Sequence, residues 1–433
     1  MAGEFMLPEF NLFQIAAVQN QVEKTYEQEF TPISTIGDKT PITFVAHGAP
    51  NQCWILNKSY ISVICKITLE NGGNVADAVD ITLCNNVLDS LFNKIEVELN
   101  DKQLADNNSF YAVRSYMENL LCYSEDAQKT WMRGPLFIKD TAGQFGVFSR
   151  ADDSANLGAK ARGVLFNASG EVQLSGRPHL DLFQQDRAIL PNCKLMLRLI
   201  PNRDNFVLMN PAVNPQVNYK IKIVDARLHL RVNHISDSLN LAYEKMLLSC
   251  NARYPITRVT MKHLIIPTGA TNFLQDNLYL GKIPKRLVLG LVADAAMAGG
   301  YQQNPYNFAH TNLNYLVLNV NGDMVPNKPL TPDFTNNKYL TAYNMMFDGM
   351  RNNHSNVPVN ISYSEFGAGF AFYVFDLTAH GHAGCLSASQ NGTIRIEAKF
   401  SQATAAATNI ICYAEFDDVF EIDSFKNTST FNY

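Results

Sequence analysis

Long stretches of the chain alternate apolar and polar side chains with a period of two, which predicts β-strands with one face on a core and the other toward solvent or a partner. Within residues 60–70, Ile61, Val63, Cys65, Ile67 and Leu69 fall on one face, while Ser62, Lys66, Thr68 and Glu70 fall on the other. The pattern returns at Ile95, Val97 and Leu99, at Leu195, Leu197 and Leu199, and at Ala226, Leu228, Leu230 and Val232. It returns again at Leu316, Leu318 and Val320, and at Ile394, Ile396, Ala398 and Phe400. Within 219–233 the phase slips: Ile221 and Ile223 share a face, and Val224 opens the series that continues at 226. A β-bulge or a strand crossing between sheets accounts for the slip. Helical spacing is confined to 110–122, with Ser109 as the N-cap, to 338–350, and to 236–248, where Leu239, Ala242, Tyr243, Met246 and Leu247 form one stripe. The expected class is all-β, with antiparallel, sandwich-like sheets.

The order of these elements repeats. In the first half a strand ending at Asp101 leads to the helix after Ser109, then to Leu180-Asp181-Leu182-Phe183, to a strand at 194–200 and to a strand at 219–232. In the second half a strand ending at Gly322 leads to the helix near Lys338, then to Val374-Phe375-Asp376-Leu377, to 393–400 and to 409–422. The matched strands are offset by roughly 190 to 220 residues, the mark of an internal duplication. Two copies of an eight-stranded antiparallel unit with long loops and few helices describe a pair of jelly rolls. Immunoglobulin-type sandwiches fit worse, because their turns come at shorter intervals. The expected organisation is an N-terminal arm at 1–30, a first jelly roll at 31–235, a linker helix at 236–255, a second jelly roll at 256–423 and a tail at 424–433. Residues 1–5 are expected to be a remnant ahead of a natural start at Met6. The long stretches 124–176, 202–218 and 293–312 are expected to carry contacts.

Composition narrows the function classes. A chain of 433 residues exceeds one ordinary core and suits two. Charged residues are only 17%, against about 25% in ordinary soluble domains, and Phe and Tyr are abundant, at 26 and 18, as in a surface largely covered by neighbours. The formal net charge of -5 and the lack of a basic run argue against DNA coating, which needs clustered Lys and Arg. The eight cysteines, Cys53, Cys65, Cys84, Cys122, Cys193, Cys250, Cys385 and Cys412, stand singly and mostly in apolar runs, so they read as reduced packing residues. Neither a secretory leader nor a membrane-length apolar run is found.

Candidate chemistry is sparse. His380 and His382 near Asp376 form an H-x-H pair, but they sit among Ala379, Gly381 and Ala383 in an expected loop with no further ligand at hand. Glu415, Asp417, Asp418, Glu421 and Asp423 alternate with Phe416, Val419, Phe420 and Ile422, which reads as a strand with one solvated face rather than a carboxylate pair or a calcium site. Gly367-Ala368-Gly369 precedes a strand and has no Gly-Lys-Ser/Thr, so it reads as a bend and not a phosphate loop. Lys285-Arg286 and Arg177-Pro178-His179 are small basic spots whose arginines are expected to satisfy carbonyls or pair with acids. No nucleophile elbow occurs, and no catalytic residue, metal ligand or cofactor is expected.

Several segments resemble the hexon-like major capsid proteins of Polinton (Maverick) elements and adintoviruses. They are FTPIST at 30–35, KDTAG at 139–143, GRPHLDLFQQDRAIL at 176–190, NLYLGKIPKRLVLG at 277–290, NPYNFAHTNLNYLVLNVNG at 304–322, PLTPDF at 329–334, FYVFDLT at 372–378 and YAEFDDVFEID at 413–423. The stretch LFQIAAVQNQVEK is looser, with Ala16 and Ala17 where relatives carry prolines. The resemblance implies a double jelly roll, a homotrimer of nearly hexagonal outline, and an icosahedral virion shell around double-stranded DNA, built with neighbouring trimers, penton and minor capsid proteins. It implies synthesis in the host cytoplasm and no enzymatic activity. The arm and the tail, with Phe425, Phe431 and Tyr433, are expected to order by docking on a neighbour. Rival readings are a domesticated host protein of the same fold and a jelly-roll protein binding ligands or glycans.

Overall fold

The computed structural model describes residues 19–77, 79–104, 109–150, 153–211, 218–353, 355–378 and 390–431. Eight principal strands build the first half: β1 (Val22–Phe30), β2 (Ile42–His47), β3 (Gln52–Leu69), β4 (Phe92–Leu99), β5 (Lys102–Gln103), β6 (Val172–Gly176), β7 (Lys194–Pro201) and β8 (Tyr219–Ile235). Eight more follow: β9 (Ala252–Ile266), β10 (Asn272–Gln275), β11 (Arg286–Ala293), β12 (Leu313–Val320), β13 (Asp323–Leu330), β14 (Phe372–Asp376), β15 (Asn391–Phe400) and β16 (Thr408–Ile422). The first set pairs as β1-β8-β3-β6 and β2-β7-β4-β5, and the second as β9-β16-β11-β14 and β10-β15-β12-β13. Adding eight to each strand number turns one half into the other. These are two jelly rolls in tandem, with every pairing in these sheets antiparallel.

The alternating residues take the places their pattern predicts. Ile61, Val63, Cys65 and Ile67 are buried, as are Leu195, Leu197 and Leu199, and Ala226, Leu228, Leu230 and Val232. The phase slip is a register shift between Ile223 and Asp225 against β3, and Val224, left out of the ladder, is 40% exposed. The apolar interior is continuous through both barrels.

The helices α1 (Tyr111–Cys122), α2 (Leu157–Leu165), α3 (Asp237–Leu247) and α4 (Leu340–Met350) lie outside the sheets. α1 starts one residue later than the cap expected at Ser109: Phe110 is its N-cap and supplies no side-chain bond. α3 opens on Ser236, whose hydroxyl accepts from the Leu239 N–H, and joins the barrels. Its expected apolar stripe is only in part a core face: Leu247 is buried and Tyr243 packs against the core, but Ala242 and Met246 are exposed.

Three expected boundaries move. Residues 22–30, placed in the arm, form edge strand β1, whose apolar residues Val22, Tyr26 and Phe30 recur too sparsely to show a period of two. The ladder with β8 and cross-strand pairs such as Glu29–Arg227 hold it instead. β9 begins at Ala252, inside the expected linker, and Thr428–Phe431 in the expected tail pairs with β16. Asp181–Gln184 is a short helix, so the strand equivalent to β14 is β6 and not 180–183; a four-residue apolar run cannot distinguish the two. Residues 1–18, His380, His382, Cys385 and Tyr433 fall outside the described residues.

Candidate functional site: the seam between the barrels

The stretch between β5 and β7 folds over the second barrel and forms the seam. α1 is buried all round, from Tyr111 to Leu121: Tyr111 donates to Asp89 of the first half, while Tyr116 and Glu118 meet Tyr306 and Tyr413 of the second. Tyr116 stacks on Tyr306 with ring centroids 4.0 Å apart, and Phe308 extends the stack. Arg114 is the hub of a buried polar network: its Nε lies 2.8 Å from Glu118 Oε1 and its Nη2 lies 2.6 Å from Asp181 Oδ1. Glu118 also meets His179 Nδ1 at 2.6 Å, accepts from Gln184 at 2.8 Å, and accepts from the Tyr413 hydroxyl of β16 at 3.3 Å. One carboxylate thus ties α1, the 177–184 segment and the second barrel together.

The charges respond to these surroundings. Burial pushes the Glu118 carboxyl up, but the Arg114 charge and the bonds from His179 and Arg114 outweigh it and hold the group well below the usual carboxylate range. Asp181 moves the other way, raised by burial despite Arg114, and its Oδ2 has no hydrogen-bond partner. Asp89, also raised by burial, accepts from Tyr111 at 2.7 Å. Apart from Asp181 Oδ2 the network's bonds are made within the chain, and they cross-link the barrels.

The acidic strand is the clearest correction to the sequence reading. All fifteen residues of β16 are buried, so no face is solvated. Each strand acid meets a cation: Glu415 pairs with Arg286 at 3.0 Å, Asp417 with Lys285 at 2.8 Å, Asp418 with Arg258 at 2.6 Å and Glu421 with Arg253 at 2.8 Å. Asp423 instead accepts the Phe425 and Asn427 N–H groups and shapes the turn into 428–431. The basic spots expected to pair with acids do so or turn inward: Lys285 and Arg286 join this ladder, His179 binds Glu118, and Arg177 donates to the Tyr123 hydroxyl. Asp376, expected near the H-x-H pair, is held by Arg351 at 2.9 Å.

Higher on the seam, Lys139 bridges to Glu365 at 2.8 Å and lies over the Phe370 ring, while the Gly143 N–H donates to the Ala368 carbonyl at 2.7 Å. Gly369 makes the bend foreseen for 367–369: its φ is +111°, and a Cβ there would sit 2.3 Å from Phe145 Cε2. Gly369→Ala is therefore expected to lose about 2–3 kcal/mol in chemical denaturation, the sum of backbone strain and overpacking. Four of the motifs quoted above, KDTAG, GRPHLDLFQQDRAIL, NPYNFAHTN and YAEFDDVFEID, converge on this seam.

The structure also assembles a set that chain order could not reveal. Ser62 Oγ lies 2.9 Å from His229 Nε2, and His229 Nδ1 lies 3.0 Å from Glu27 Oε1, with Tyr60 stacked on the imidazole. The connectivity is that of a hydrolase triad, but Ser62 sits mid-strand between Arg227 and Ser175, whose ladders occupy the local backbone N–H groups. Neither the cavity of about 320 Å³ lined by Lys39, Thr68 and Lys220 nor the one of about 260 Å³ lined by Asn93, Phe110 and Phe206 includes these residues. The set is a cross-strand polar array on an open sheet face.

Among the described residues no three His, Cys, Asp or Glu are grouped to share a metal, and no helix is long and apolar enough to cross a membrane. Burial pushes the Cys65, Cys84 and Cys412 thiols up to about 12. These thiols are expected to resist maleimide at pH 8 while exposed Cys250 reacts, as mass spectrometry of the labelled chain would show.

No protein-family model matches the chain. An uncharacterized protein of Caenorhabditis elegans is 24% identical over 402 residues, covering 89% of this chain and 92% of that one. Among solved structures, one from the Sputnik virophage superposes with a TM-score of 0.68 at 12% identity, covering 100% of this chain and 93% of that one. The Faustovirus major capsid protein gives 0.56 at 8% identity, covering 94% and 92%. The mavirus major capsid protein gives 0.54 at 10% identity, covering 100% and 96%. The fold is the double jelly roll of these viral capsid proteins, preserved along the whole chain at an identity that shows the fold alone.

Proposed function

We propose that this chain is a major capsid protein, a non-enzymatic shell subunit of a double-stranded DNA virus or virus-like transposon. One observation carries the reading: eight strands recur in the same order and the same pairing, so each chain supplies two equivalent barrels fixed side by side by a buried seam. Three such chains place six similar barrels around a threefold axis, and the ring tiles a curved lattice as a hexamer would. The trimers meet one another, and penton and minor capsid proteins complete the shell. The enclosed DNA is touched weakly and without sequence preference, because the basic spots are engaged by acids and the net charge is -5. The chain is made in the host cytoplasm and resides in the virion.

Sedimentation of the purified protein tests this. A stable species near three times 48.4 kDa is expected, and a monomer at every concentration would contradict it. The sequence likeness to an animal protein favours a second reading, a domesticated host protein of this fold. Particles carrying DNA in the cells that express the chain would decide against it.

A further inference from the structure

The two barrels differ in how far their outer strands run. β9 pairs with β16 along its whole length, from Ile422 to Thr408, whereas its counterpart β1 pairs with β8 only from Ile235 to Leu228. Residues 219–227 of β8 therefore have β3 on one side and, among the described residues, no paired strand on the other. The loop at 36–39 lies against that open edge. Lys220 Nζ sits 3.0 Å from Asp38 Oδ2, and Lys39 Nζ sits 2.8 Å from both Asp204 Oδ1 and the Asn202 carbonyl. Between the loop and the edge is the cavity of about 320 Å³. Its floor is apolar: Ile42, Leu91 and Ile221 are buried, and Ile223, at the register shift, is half-buried. Its rim carries three lysines, Lys39, Lys220 and Lys222, against two acids, Asp38 and Glu70. Glu70 accepts from Asn218 at 3.1 Å, while Lys222 is exposed and its ammonium has no partner among the described residues.

We propose that this cleft binds a small acidic amphiphile, a medium-chain carboxylate, with its chain on Ile42, Leu91 and Ile221 and its head on Lys222. Protein interiors are close-packed, so an apolar floor left open to water is a surface that a ligand can cover. The charge of the rim selects the head: one lysine is left over after the acids are matched, and one carboxylate matches it. The volume selects the tail. It lies at the small end of ligand sites, about 300–1,000 Å³, which suits a single short chain and not a two-chain lipid. Binding is a property of one chain and does not depend on how copies assemble.

Calorimetric titration of the purified full chain with hexanoate, octanoate and decanoate tests this, with octanol as the uncharged control. One site per chain is expected, and each added methylene is expected to tighten binding about 3-fold. Octanoate is expected to bind about 5-fold more tightly than octanol at low salt. Lys222→Ala, a change at an exposed position, is expected to fold as the wild type does and to bring octanoate down to the affinity of octanol. Ile223→Asp, with folding checked by circular dichroism, is expected to weaken octanoate and octanol alike by spoiling the floor. No saturable binding of octanoate or decanoate, equal affinity for octanoate and octanol, or an unchanged affinity in either folded variant would overturn the assignment.

Discussion

Asp140→Ala is expected to cost about 3–5 kcal/mol in chemical denaturation, the penalty for stranding a buried charge. Its partner Arg162 is 1% exposed and Arg162 Nη2 lies 2.6 Å from Asp140 Oδ1. The same guanidinium donates to the Leu83 carbonyl at 2.9 Å and to the Ile138 carbonyl. This anchor explains a helix packed inside out. The inward residues of α2 include Gly158, Ala159, Arg162 and Gly163, while Leu157, Val164 and Leu165 face outward. Gly158 permits the approach, because a Cβ there would lie 2.3 Å from the Lys139 carbonyl oxygen. Asp140 also receives Asn304 of the second barrel at 3.5 Å, so its loss loosens the seam as well. Pairing Asp140→Leu with Arg162→Met is expected to recover only part of the loss. It removes the stranded charge, but the Leu83 and Ile138 carbonyls lose their donor, at about 1–3 kcal/mol for buried groups left unpaired.

Glu118→Ala is expected to rank next, again at about 3–5 kcal/mol, because Arg114 loses one of its two carboxylates and His179, Gln184 and Tyr413 lose their shared partner in a buried site. Glu118→Gln keeps the shape and is expected to cost less. The acid dependence follows from the sign of the shift. The folded-state pKa of Glu118 is depressed, so its contribution is fully present above the unfolded value, near 4.3, and is lost as the pH falls through the lower folded value. Glu365 and Asp376 are depressed too: burial raises each, and the bonds from Lys139 and Ser362 to Glu365, and from Arg351 and Thr378 to Asp376, more than offset it. Asp89 and Asp181 are raised and act in the opposite sense, which blunts the loss. Melting temperature is expected to fall below about pH 4, and the fall is expected to be shallower in Glu118→Gln. An identical acid profile in that variant would contradict the role given to Glu118.

The sequence reveals the sheets where one face is buried and the other wet, as in 60–70 and 226–232, since that condition writes the period of two. It hides β1, which is held by backbone pairing and charge pairs more than by burial. It misleads at β16, where acids alternating with Phe416 and Phe420 look solvated. The cations that bury them, Arg253, Arg258, Lys285 and Arg286, come from β9 and from in and just before β11, and only strand pairing brings them opposite. The duplication is legible because spacing survives divergence. The seam is not, since its members lie up to 295 positions apart, as in Glu118 and Tyr413.

The central claim is that two equivalent barrels per chain combine into a ring of six. Electron cryomicroscopy of the purified oligomer tests it most directly. Three chains around a threefold axis, seen end-on as six barrels in a nearly hexagonal outline, are expected. A monodisperse single chain, or an oligomer of another symmetry, would contradict it.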